Sequence, residues 1–192
     1  MDDRFGHSLW CIDGTIIRAH RCAGGGGEKR DPEKPADHAL GRSRGGFSTE
    51  IHIICYGEGH SLSIELSPGQ THETQLFEEL WTVTEFDDQT LEHLIQSEAL
   101  AGDKAYRSAA IVGQLTSEGV EAVIPEKGKK ANDVDHSDFD SEAYHRRNVV
   151  ERLIGRFKEF RRIFSRFEKT AVNHLGKIHV ACIRMYLARL LG

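Results

Sequence analysis

Tyr144-His-Arg-Arg147-Asn-Val-Val-Glu151-Arg-Leu-Ile-Gly-Arg-Phe-Lys158 is the stretch around which the rest of the chain is read. Wound as a helix, it brings Tyr144, Arg147, Glu151 and Lys158 within roughly 60° of arc. One carboxylate then sits among basic and phenolic groups on a single stripe. Such a stripe buries no apolar surface and makes no simple ladder of ion pairs one turn apart. It suits phosphate-holding groups around a metal-binding acid. A solvated charged helix is the alternative that this stretch leaves open.

Charge around that stretch points the same way. The 192-residue chain has a formal net charge of −5, which by itself argues against a polyanion. Its distribution matters more than its sum. Between 144 and 169 lie nine basic residues (Arg146, Arg147, Arg152, Arg156, Lys158, Arg161, Arg162, Arg166 and Lys169) against three glutamates. Acids gather instead from Glu73 to Glu98 and from Asp133 to Glu142. A locally basic helix on an acidic body predicts a focused contact with nucleic acid.

The length suits one domain with a sizeable core, and the composition is that of a globular protein. No stretch is long and apolar enough to span a membrane, and the polar start does not read as a signal peptide. Cys11, Cys22, Cys55 and Cys182 lack paired spacing, which excludes a zinc knuckle and a disulfide scaffold and suits a reducing cytoplasm.

Residues 8–20 predict a buried strand containing Asp13-Gly14. Two readings stand: a carboxylate held by a cation or hydrogen bonds, or a hairpin turn at that dipeptide. Residues 22–46 read as a flexible loop, whose Gly24–Gly27 run lacks the lysine of a phosphate loop. Lys29, Arg42 and Arg44 could touch DNA from it. Phe47–Tyr56 and Ser61–Leu66 complete an antiparallel meander. Thr71 offers an N-cap to a helix burying Leu76, Phe77, Leu80 and Trp81, and a further short helix is expected within 82–98. Ala99–Gly102, a helix over 108–118 capped by Ser108, and Val120–Pro125 predict a parallel β-α-β unit with Asp103 at the end of its first strand. Parallel sheets bind ligands there, although a helix cap or turn carboxylate fits the same position. Residues 126–140 read as a charged loop, residues from about 141 into the 160s as one helix, and the remainder as a packing helix with Val172, Leu175, Ile178, Cys182 and Met185 inward.

Three carboxylates from three elements can hold two divalent cations that activate a nucleophile on a phosphodiester. Oxygen donors favour Mg²⁺ or Mn²⁺. At this point the chain resembles the catalytic domain of bacterial insertion-sequence DDE transposases of the IS-four and IS-five type. The late signature of that family is present as Tyr144, Arg147, Glu151 and Lys158. Asp13-Gly14-Thr15 resembles its first acidic strand, and Gly102-Asp103-Lys104-Ala105-Tyr106 its second motif. Pro68-Gly-Gln-Thr-His72 and Glu159-Phe-Arg-Arg162 are similar to further segments. Arg107 departs, standing where many relatives carry an acid.

The resemblance implies an α/β fold of the ribonuclease-H-like kind, with three antiparallel strands, a parallel β-α-β unit and flanking helices. It implies that Asp13, Asp103 and Glu151 bind a Mg²⁺ or Mn²⁺ pair, and that Tyr144, Arg147 and Lys158 hold DNA, with Arg146, Arg156 and Arg162 as neighbouring contacts. Its activity would be cleavage of element ends by water, then strand transfer of the 3′-hydroxyl to target DNA. Partners implied are double-stranded DNA (terminal inverted repeats and target) and a second copy in a homodimer, in a bacterial, nucleoid-associated setting. Relatives carry an N-terminal segment before the first acid, and here Asp13 follows only twelve residues. The chain then reads either as the second frame of a two-frame element, with a separately encoded N-terminal partner, or as a decayed copy. Another ribonuclease-H-like endonuclease, and a truncated remnant that binds DNA or regulates without cutting, are the other readings.

Overall fold

The computed structural model describes residues 8–26, 38–57, 59–82, 97–126 and 139–192. Seven strands form its sheet: β1 (Leu9–Ala19), β2 (Gly41–Ser43), β3 (Gly46–Tyr56), β4 (His60–Pro68), β5 (Ala99–Ala101), β6 (Glu121–Val123) and β7 (Ser165–Arg166). Their order is β2-β3-β1-β5-β6, with β4 also on β3 and β7 also on β1. The helices are α1 (Phe77–Thr82), α2 (Ala109–Ser117), α3 (Ser141–Arg146), α4 (Asn148–Glu159), α5 (Arg161–Phe164) and α6 (Ala171–Leu191). This is a mixed sheet with flanking helices, the fold class that the sequence implies. Among the described residues no helix is long and apolar enough to cross a membrane.

The chain divides into two compact units. The first comprises Met1–Asp13, Ile53–Ser63 and Glu73–Arg152. Within it β1 runs parallel to β5 (Leu9↔Ala99 to Cys11↔Ala101), and β5 runs parallel to β6. The connection from β5 to β6 passes through α2, as the β-α-β pattern requires. Ser108 caps α2 by accepting a hydrogen bond from the Ile111 amide, and Gly119 leaves it with φ +77°. Trp10, Ile12, Leu80, Leu100, Leu115 and Ile124 form the heart of the core. Each contributes roughly 1.5–3 kcal/mol by leaving water. Asp13-Gly14 lies inside a continuous β1, so the hairpin reading of that dipeptide is set aside. Thr71 is not the helix cap: a 3-10 turn over Glu73–Leu76 precedes α1.

The second unit comprises Gly14–His52, Ile64–His72 and Leu153–Gly192. Part of the stretch read as a loop is ordered here. Arg21–Gly26 makes a 3-10 helix, and β2 pairs antiparallel with β3 through the Arg44-Gly45 turn, where Gly46 takes φ +98°. β3 is buried along most of its length, including the polar Ser48, Thr49, Glu50 and His52. Arg166 on β7 is fully buried. Its guanidinium donates to the carbonyls of Ala39 (2.8 Å), His38 (2.6 Å) and Glu168 (3.0 Å) and to Thr49 Oγ1 (2.6 Å). On α6, Ile178 and Cys182 face inward as expected, but Val172 is 76% exposed. The helix expected in 82–98 and the loop over 126–140 fall mostly outside the described residues, as do Lys29 and Gly27.

Candidate active site

Asp13 enters the site from β1. Three residues earlier, β1 is paired with β5, and β5 delivers Asp103 directly after Ala101-Gly102. Gly102 is needed there because a Cβ at that position would stand 2.9 Å from Ile12 Cγ2. Asp103 then caps the Lys104–Tyr106 turn, its Oδ1 accepting from the Ala105 amide at 2.5 Å. One carboxylate oxygen is thereby fixed by the backbone. Arg107 ends this turn and donates to the Ile124 carbonyl at 2.7 Å. At this position an arginine is thus tied to the end of the neighbouring strand.

The late signature is not one unbroken helix. The helix breaks at Arg147, where the Arg147 amide bonds the Tyr144 carbonyl and the Val150 amide bonds the Arg147 carbonyl, tightening the turn to three-residue bonds. α4 ends at Glu159 and a short α5 follows, before β7 takes the chain into the sheet. The tight turn directs the Arg147 side chain, which is 15% exposed, at two acids. Its Nη1 stands 3.1 Å from Asp13 Oδ2, and its Nη2 stands 2.5 Å from Glu151 Oε1. The guanidinium also lies over the Tyr144 ring, 5.6 Å from its centre. Burial works to lower the Arg147 pKa, but Asp13, Glu151, Tyr144 and Asp103 more than offset that and raise it.

Of the residues named from sequence, Asp13, Arg147 and Glu151 are therefore drawn together directly, and Asp103 acts on Arg147 through its field. Tyr144 joins through its ring. Arg146 is half-buried on α3. Arg156, Lys158 and Arg162 lie in the second unit and are exposed. Arg162 lies over the Phe167 ring at 5.4 Å. Arg166, counted in the basic stretch, is withdrawn from any nucleic-acid face by its burial.

Sequence reasoning missed Glu73. It is half-buried, and its Oε2 is buried with no hydrogen-bond partner. Burial raises the pKa of this carboxyl, and the charges of Asp103 and Asp13 raise it further. The segment read as similar to the transposases stopped at His72, one residue short. An acid three residues before the buried Leu76 was the available signal.

Among the described residues no three His, Cys, Asp or Glu side chains are gathered into an ion-holding set. The donor chemistry nonetheless fits a hard divalent cation. Every candidate ligand is a carboxylate, and the orphaned Glu73 oxygen faces a field of like charge with no proton donor to satisfy it.

A family model described as a transposase DDE domain matches residues 4–186. The chain belongs to that transposase family. Solved structures similar to this transposase domain include a Mos1 transposase paired-end complex with the left transposon end, 15% identical over 80% of this chain and 54% of that one, with a TM-score of 0.39. A pre-cleavage Mos1 transpososome is 15% identical over 82% and 56%, with a TM-score of 0.40. A piggyBac transposase synaptic complex with hairpin DNA is 14% identical over 65% and 24%, with a TM-score of 0.36. The domain thus spans 54–56% of those Mos1 chains and 24% of the piggyBac chain. No curated protein matches it.

Proposed function

We propose that this transposase domain, of the IS-four and IS-five type, cuts DNA at the ends of a mobile element and joins the freed 3′-hydroxyl to target DNA. The observation that carries the reading is Arg147 linking Asp13 and Glu151 from opposite ends of the chain, in a domain of the DDE transposase family. Asp13, Asp103 and Glu151 would hold a Mg²⁺ or Mn²⁺ pair. When bound, such a pair lowers the pKa of a water or hydroxyl and stabilises the charge on the attacking and leaving oxygens.

The chain's own residues do the rest. Asp103 presents its free oxygen at a fixed angle, because the other is held by the Ala105 amide. Arg147 neutralises the acids until a phosphate arrives, and its planar fork suits a phosphodiester oxygen pair. Tyr144 offers a ring face on which a displaced base can stack. Lys158, with Arg146, Arg156 and Arg162, would follow the backbone beyond the cut. Double-stranded DNA is the partner, with two copies of the chain holding paired ends.

The test is cleavage of a duplex carrying the inverted repeats that flank the reading frame, with Mg²⁺ or Mn²⁺, by wild type and Asp103→Asn. Nicking and strand transfer by wild type, with both lost in the variant while its melting temperature and DNA affinity stay near wild type, support the proposal. Metal-dependent cleavage that survives in Asp103→Asn overturns it.

A further inference from the structure

α6 carries two apolar faces on one helix. Its inner face buries Ile178, Ala181 and Cys182. Wound at about 100° per residue, Val172, Val180, Ile183, Leu187, Leu190 and Leu191 fall within roughly 100° of arc on the opposite side. All six are exposed, from 49% at Leu187 to 83% at Leu191. Val180, Ile183, Leu187 and Leu190 recur at alternating three- and four-residue steps, the spacing of a seam between paired helices. The stripe presents on the order of 700 Å² of apolar surface, more than the roughly 300–600 Å² of the largest patch on a typical monomer.

Charge and one glycine define what fits this stripe. The cations along its edge are drawn to partners in their own chain: Lys177 pairs with Glu168, and Arg184 lies over the Phe160 ring at 5.5 Å. The stripe itself holds no charged side chain, so an anionic lipid surface or an acidic peptide gains little here from electrostatics. A matching apolar face gains the most. Gly176 lies in the middle of the same arc. Glycine inside a helix is destabilising relative to alanine, and a Cβ at this position would meet nothing within 4 Å. Packing within the chain therefore does not call for it. A second helix crossing closely at that point does.

We propose that this face of α6 is where two copies of the chain pair, helix against helix, through Val180, Ile183, Leu187 and Leu190, with Gly176 letting the two backbones approach. Covered in both copies, the stripes remove on the order of 1,400 Å² from water, within the roughly 1,200–2,000 Å² of a stable protein–protein interface. A two-fold axis sets the same surface against itself, so one apolar stripe supplies both sides. This rests on the two copies of the reading above and assigns them a surface; it does not depend on the metal chemistry. The pair forms without DNA, and salt scarcely moves it, because no charge faces charge across the seam.

The experiment is sedimentation equilibrium of the full chain without DNA, at low and high salt, on wild type, Ile183→Glu and Gly176→Leu, with thermal melts of each at dilutions where every form is monomeric. The expected result is a wild-type dimer with a Kd on the order of 1 µM at either salt. Ile183→Glu should weaken it about 100-fold or more, since a carboxylate would be buried unpaired in the seam. Gly176→Leu should weaken it about tenfold or more while melting at or above wild type, because the helix gains and the close approach is blocked. A wild type that stays monomeric overturns the inference, as does a dimer that survives both substitutions. A monomeric wild type that binds phosphatidylglycerol vesicles overturns it in favour of a lipid surface. The cleavage assay above is read separately: a monomer that cuts and joins leaves the transposase reading standing, and a dimer that does neither counts against that reading alone.

Discussion

Arg147 donates to Asp13 across 134 positions of sequence, at 3.1 Å, while the same guanidinium reaches Glu151 one helical turn away. A cation is therefore already seated between the first and last acids of the signature. On the proposed reading, Arg147 competes with a metal in the free protein and ceases to compete when a phosphate draws it off.

Arg147→Gln separates those two effects. Mn²⁺ affinity of the DNA-free protein should rise about tenfold, because a unit charge a few ångströms from the ligands has gone. DNA affinity should fall, with the salt slope reduced by about one. Calorimetry and salt-titrated anisotropy read the two. A fall in both affinities would show that Arg147 assembles the acids and does not stand in for the ion.

Arg166 makes the opposite use of an arginine. Its bonds run to Ala39, His38, Glu168 and Thr49, and the side chain is fully buried. Arg166→Met should destabilise by about 3–5 kcal/mol, since it strands several buried acceptors. Arg166→Lys should recover little, because an ammonium cannot span that fork of carbonyls. Denaturant melts decide; a loss under about 1 kcal/mol in either variant contradicts the assignment.

Acid should weaken the fold through His52. Burial lowers its pKa from 6.5 to about 4, and its Nε2 lies 2.8 Å from Ser67 Oγ. Between those pH values the unfolded chain binds a proton that the folded chain refuses. The contribution of neutral His52 is therefore complete above pH 6.5 and is lost as pH falls toward 4. By pH 5 the loss is about 2 kcal/mol. Melts from pH 7.5 to 5 should show that slope, and His52→Asn should flatten it.

The thiols should separate by reactivity. Burial pushes Cys11 up to about 12 and Cys55 well above the ordinary thiol range, whereas Cys22 is exposed, with its thiol near the Phe167 carbonyl. One equivalent of maleimide at neutral pH should label Cys22 and leave Cys11 and Cys55 untouched until the protein is denatured. Peptide mapping after brief labelling settles the order.

What could be read from residues alone was whatever is decided locally. Asp103 after a run of small residues, Ser108 before a periodic apolar stretch and Gly119 behind it give the β-α-β unit its limits, and all are short-range signals. The tight turn at Arg147 carries no such mark, because no proline or glycine breaks that helix. β2 is three residues without an apolar side chain, so period-two patterning had nothing to detect. Arg166 belongs to a run of surface-like charges, and only the acceptors of residues 38–49 explain its burial. Glu73 is likewise defined by what it faces. Val172 fits the inward period of α6 but precedes the part of the helix that is packed.

The cap at Asp103 has a hereditary consequence. A single-base change to asparagine leaves an amide oxygen where the Ala105 amide needs an acceptor, and so leaves the turn intact. The product then survives every quality check that a cell applies to shape, while on the proposed reading its chemistry is gone. Selection against misfolding cannot remove such copies, so silent genes of this type should persist beside working ones, and stability will not tell one from the other.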